Sequence, residues 1–203
     1  MASYSYEIIC LANSRKVSGR CVAGMIVGGK DKHSWLRPIS DRPSGEISEF
    51  ERRYQDGTKA QVLDKIKIFY KKPEPDGFQI ENHLIESGFY WEKIGSVSTQ
   101  FVSKLPKLNS GPLWKNGAST YHGINDKVSE EDCKKLKGSI TLISPENLVV
   151  HVQQEDNPFS GISKKTVRGH FQFSGVKYIL KITDPRAEIH FLSRGVGEYS
   201  IVC

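Results

Sequence analysis

The sequence predicts a mainly β protein, two small barrels in tandem with a few short helices. Three observations point there. Apolar runs are short, alternate with polar residues and are rich in Ile, Val, Tyr and Phe, as half-buried strands require. Gly, Pro, Asn and Asp punctuate them at short intervals, which is turn chemistry. Five such runs crowd the last third of the chain, and closing them into a barrel removes the exposed edges of an open sheet. An SH3-like barrel or a half-sandwich gives the same pattern.

Taken in order, Tyr4 to Leu11 is an apolar strand, Arg20 to Val27 a second that ends in Gly28-Gly29, and Trp35 to Ser40 a third. Asn13-Ser14-Arg15-Lys16 reads as a polar connection between the first two. Ser44 to Tyr54 is a short helix or a coil behind a Ser that can cap it, and Gln55 to Thr58 is a turn. Val62 to Lys71 alternates around Ile66 and Ile68 and closes in the Pro- and Gly-bearing turn from Lys72 to Gly77. Phe78 to Ile85 returns extended, whereas residues 86–108 stay open, with Ser98 to Leu105 fitting a helical turn or a strand.

Gly111 to Val128 has the Asn-Gly and Asn-Asp content of a structured loop. Ser129-Glu130-Glu131-Asp132 opens a short helix with acids at the positive end of its dipole, and the lysines before Gly138 suit the other end. Beyond it lie the five runs: Ser139 to Ser144, Asn147 to Gln153, Thr166 to Phe173, Lys177 to Thr183 and Glu188 to Leu192, with a hairpin turn at Ser174-Gly175-Val176. The 203 residues therefore divide into 1–130, a barrel with inserted loops, and 131–203, a second barrel.

No apolar run approaches the roughly 20 residues that a membrane span needs, and no charged-then-apolar leader opens the chain, so the expected setting is the cytoplasm with no membrane contact. Cys10, Cys21, Cys133 and Cys203 are scattered, without a CxxC pair or a His at ligand spacing, which predicts reduced thiols, with Cys10 and Cys21 in the core, and no metal or cofactor. The formal charge of +6 favours polyanionic partners only slightly.

Asn13, Ser14, Arg15 and Lys16 offer an amide, a hydroxyl, a guanidinium and an ammonium within four residues, and Arg20 follows Gly19, where backbone can approach a ligand. That set suits phosphates or base edges, although a solvated loop has the same composition. Trp35 and Arg37, two apart on a strand, face the same side and can join a base-stacking ring to a cation. Trp114, Tyr121 and His122 lie in a Gly-rich loop where a ring can be exposed. Asn82, His83, Asn116 and Asn125 can reach base edges, against the plainer roles of turn-forming and packing. Arg186 can touch a phosphate while Asp184 forms a turn ahead of Pro185. These cations and rings should converge on one positive trough.

The pieces CLANSRKVSGRCVAG, WLRPIS, GE, DG at Asp56-Gly57, LDKIKI, ENHLI, LWKNG, GINDKV and YILKITDP together resemble a bacterial family, the dual OB-containing domain. The resemblance spans most of the chain. It implies two oligonucleotide-binding (OB) barrels in tandem and a role in binding DNA or RNA, often beside other components of anti-phage conflict systems. A sensor of a small nucleotide or modified base, and a scaffold for an effector protein, are the alternatives. Catalysis finds no support: there is no GxxxxGK[ST] loop, GxSxG elbow or HExxH, and Cys21 sits in an apolar run that would bury its thiol away from His33 or His83.

Overall fold

The computed structural model describes residues 3–156 and 160–201, so Cys203 lies outside the described residues. The chain is mainly β, with three short helices among the described residues, and it forms two compact units: residues 1–106 with 137–140, and 107–136 with 141–203. The loop 107–130, grouped with the first half on sequence, thus packs with the second unit.

In the first unit β1 (Tyr4–Lys16) and β2 (Gly19–Ile26) form a hairpin, β3 (Trp35–Ile39) joins β2, and β4 (Asp64–Pro73) and β5 (Asn82–Ile85) follow. β3 pairs parallel with β5, β5 pairs with β4, and β4 pairs back to β1, so the ring closes in the order β1-β2-β3-β5-β4-β1. β6 (Glu92–Ser96) adds to the far half of β4. Closure leaves the ring without a free edge. The polar run expected to be a connection is part of β1: Asn13 to Lys16 pair with Val22 to Gly19, and only Val17 and Ser18 turn the hairpin.

Strand alternation sends Ile8, Cys10, Val22, Ile26, Leu36, Ile66, Ile68, Tyr70 and Ile85 into one core, which Ile47, Tyr54, Ala60 and Trp91 complete. Burying each large side chain is worth about 1.5–3 kcal/mol. Gly24 is required where two backbones meet, since a Cβ there would lie 2.2 Å from the Ile9 carbonyl oxygen. The helix allowed over Ser44 to Tyr54 does not form; the segment is a run of turns, because the Ile47 backbone is bonded in both directions to Arg20 (2.8 and 2.9 Å). The open stretch 86–108 supplies β6 and α1 (Thr99–Val102), and the start foreseen at Ser129 is the capped α2 (Glu130–Cys133).

The second unit is an antiparallel sheet in the order β10-β7-β8-β9, formed by β7 (Glu146–Asp156), β8 (Ser163–Phe173), β9 (Val176–Lys181) and β10 (Gly197–Ser200). Ile124 bridges to Ile179, so loop 107–128 borders the β9 edge. Val150, Val152 and Val167 are its buried centre, and Phe191 and Leu192 from α3 (Pro185–Ser193) pack on them. Two expected strands are corrected here. Residues 188–192 are helical because Asp184 caps the Arg186 and Ala187 amides (2.9 Å each) and Pro185 holds the first helical position. Residues 139–144 form no strand: Ser139 is held by side chains of the first unit, and Leu142 accepts a single bond from the Leu108 amide (2.8 Å).

Candidate nucleic-acid interface

One mouth of the barrel is formed where β1 and β5 begin, β2 ends and β3 begins. Tyr4, Tyr6, Tyr70 and His83 gather there with ring centroids 5.6 to 6.4 Å apart, mostly edge to face. The Tyr4 hydroxyl and His83 Nδ1 are 2.6 Å apart, and the Tyr6 hydroxyl donates to Asp31 Oδ2 at 2.7 Å. That bond, with burial, raises the Tyr6 pKa, and burial lowers the His83 pKa against the pull of Asp31, so near neutrality the mouth holds neutral phenols and a neutral imidazole. A cavity of about 490 Å³ opens here, lined by Tyr6, Asp31, His33, Trp35, Glu81, His83 and Lys137 among others. Its size suits a single base with its sugar.

Cations available to a polyanion stand in the adjoining loop. Lys30 and Lys32 flank Asp31, and, like Lys137, have no acidic partner within 4 Å among the described residues. Three of the unit's arginines differ: Arg20 pairs with Glu49 at 2.9 Å, Arg52 with Glu49 at 2.6 Å, and Arg42 with Glu51. Arg37 is buried, with Nη2 3.0 Å from Glu81 Oε1, 2.6 Å from the Ser139 hydroxyl, and Nη1 donating to Asn82 Oδ1 at 3.4 Å. Ser139 donates in turn to Glu81. Residues 137–140 of the same unit therefore lie across the β3–β5 seam. OB barrels generally use the face of strands 2 and 3 with the loops after strands 1 and 4; here the chain itself crosses the neighbouring β3–β5 seam, with the mouth cavity beside the crossing.

The single trough expected from the sequence is thus not assembled. Trp35 and His83 line the mouth, partly buried, whereas Lys16 and Asn82 line a different cleft with Arg42 and Lys72. Asn13 is buried and donates to the Ala60 carbonyl (2.9 Å); Ser14 lies opposite Cys21, and Arg15 opposite Arg20. Cys10 is buried and Cys21 only partly so. In the second unit, Trp114 packs edge-on to Tyr178 and donates to the Asn125 carbonyl (2.8 Å), while the Asn125 side chain bridges the Gly117 amide and the Lys177 carbonyl, so both organise the loop. Asn116 is partly buried beside them, and Arg186 is exposed on α3. Of the rings expected at the site, Tyr121 is the most open, 79% exposed. Tyr6, Asp31, His33, Lys30, Lys32 and Lys137 were not expected at a binding site; the signal for them was a Gly-Gly-led loop, Lys30-Asp31-Lys32-His33, placed just before Trp35.

A closed five-strand ring with β3 and β5 parallel defines an OB barrel. The dual OB-containing domain family matches residues 6–202, and the chain belongs to that family. No match was found among curated proteins or among solved structures.

Proposed function

We propose that the protein binds single-stranded or distorted DNA or RNA without altering it, and that the barrel mouth is where a base enters. The reading rests on one observation: a cavity of about 490 Å³ walled by Tyr6, Trp35 and His83 adjoins a loop whose lysines are not neutralised. Bases stack on such rings, the Asp31 carboxylate can accept from an exocyclic amine, and Lys30, Lys32 and Lys137 meet phosphates. OB membership supports it at the level of nucleic-acid binding. A place in bacterial anti-phage defence belongs to the proposal on the resemblance alone, and a cytoplasmic setting on the sequence expectation.

Titration of labelled oligonucleotides at two salt concentrations tests it. Replacing Lys30, Lys32 and Lys137 with Ala should flatten the salt dependence by about 0.7 for each phosphate no longer neutralised. Trp35→Ala should weaken binding by about 1–3 kcal/mol. Absence of binding to any DNA or RNA at low salt removes the reading.

A further inference from the structure

A second cleft, of about 600 Å³, lies wholly within the second unit, between β7, β8 and the loop ahead of α2. Lys164, Thr166 and Arg168 occupy alternate positions of β8 and so project to one side; Glu155 stands opposite Lys164 on β7 and Lys181 opposite Arg168 on β9. Thr120, Tyr121, His122 and Lys127 close it from the loop.

Arg168 is the informative group. It is 6% exposed and spends Nε and Nη2 on Glu155 (2.6 and 3.2 Å). Nη1 makes no hydrogen bond among the described residues and stands 3.6 Å from Asp126 Oδ2. Nη1 is itself enclosed beside Asp126, so Arg168 is a buried cation tied to Glu155 and Asp126, and the accessible charge of the cleft comes from its lysines. Lys127, Lys164 and Lys181 line the same cleft, exposed, with no acidic partner within 4 Å among the described residues. With Arg168 answered by Glu155 and Asp126, the three lysines face one further lining carboxylate, Asp156.

The loop is held in place before any ligand arrives. Asp126 accepts from the Thr120 amide (2.6 Å) and hydroxyl (2.5 Å), and Gly123 leaves the space, since a Cβ there would lie 1.9 Å from Asp126 Oδ2. His122 Nε2 is 3.0 Å from the Asp156 carbonyl oxygen, and the Tyr121 ring meets His122 edge-on at 4.8 Å. The open face of Tyr121 therefore stands at the rim of a cationic cleft.

We infer that this cleft is a nucleotide site: a phosphate held by the exposed Lys164 and Lys181, with the base lying on Tyr121. A divalent cation would be repelled by three lysines, and an uncharged sugar would leave them unused. The site is independent of the barrel mouth and stands whether or not that reading survives.

Calorimetric titration of the full chain with AMP, adenosine and inorganic phosphate decides it. AMP should bind, and the exposed pair Lys164→Ala/Lys181→Ala should weaken it at least about tenfold, as removing two phosphate ligands implies. Tyr121→Ala should weaken AMP about tenfold and leave inorganic phosphate unchanged. A 5′-phosphorylated oligonucleotide that displaces AMP, where its 5′-hydroxyl form does not, assigns the site to a strand end; failure of both to displace assigns it to free nucleotide. No heat with AMP, or equal affinity in the wild type and the lysine variant, overturns the inference. The Lys30, Lys32 and Lys137 variant should bind AMP normally, which separates failure at the mouth from failure here.

Discussion

At the scale of single residues, ion pairing decides which cations are free to work. Arg37 shares its side of β3 with Trp35, as alternation required, yet its charge is answered by Glu81 inside the protein. Arg37→Ala should therefore cost about 3–5 kcal/mol in urea denaturation, because it strands a buried carboxylate, while the salt slope of oligonucleotide binding stays the same. Glu155 gives a pH prediction. Burial works to raise its pKa from the ordinary 4.5, but the Arg168 guanidinium outweighs this and holds it at about 2. The folded chain then binds this proton less readily than the unfolded one, so the stabilisation is whole above pH 4.5 and is lost as pH falls toward 2. The stability gap between the wild type and Glu155→Gln should narrow across that window, measured by denaturant titration at each pH; a constant gap refutes the assignment. Strand parity was legible in the sequence, but pairing was not, since Glu81 and Glu155 meet their arginines across paired strands and Glu49 reaches Arg20, 29 residues away, as well as its neighbour Arg52.

At the scale of elements, local signals were legible where they were decisive. Hydrophobic alternation located the strands of the barrel, and Ser129 with three acids located α2. The run 188–192 misled because five apolar-rich residues fit either period; the Asp-Pro pair ahead of it was the deciding cap. Asp184→Ala should cost about 1 kcal/mol, seen as a lower Tm with the barrel's signals unchanged. Residues 139–144 have strand composition, but Ser139 is held by side chains and Leu142 by the Leu108 amide, which no periodicity reports. Gly24→Val should cost at least about 3 kcal/mol by forcing β1 from β2, whereas Gly28→Ala, with nothing within 4 Å of its Cβ, should be near neutral. Circular dichroism melts of the two variants check both.

At the scale of the whole molecule, the two cores differ in size. The barrel's core cluster is large and includes Tyr54, Tyr70 and Trp91, whereas the second sheet centres on three valines. Amides of β7, β8 and β9 should exchange with solvent at a lower opening free energy than those of β1, β2 and β4, readable by hydrogen exchange and mass spectrometry. Family and general architecture were legible because short motifs survive as a string along the chain; the partition was not, because residues 137–140 return to a unit that the sequence leaves at 106. That return sets a timetable. On the ribosome Arg37 and Glu81 emerge early, yet their shared partner Ser139 lies 102 residues beyond Arg37, so the ion pair on the flank of the nascent barrel stays uncovered until residue 140 clears the exit tunnel. A stall placed before that point should yield a protease-sensitive intermediate, and one placed well beyond it a resistant barrel.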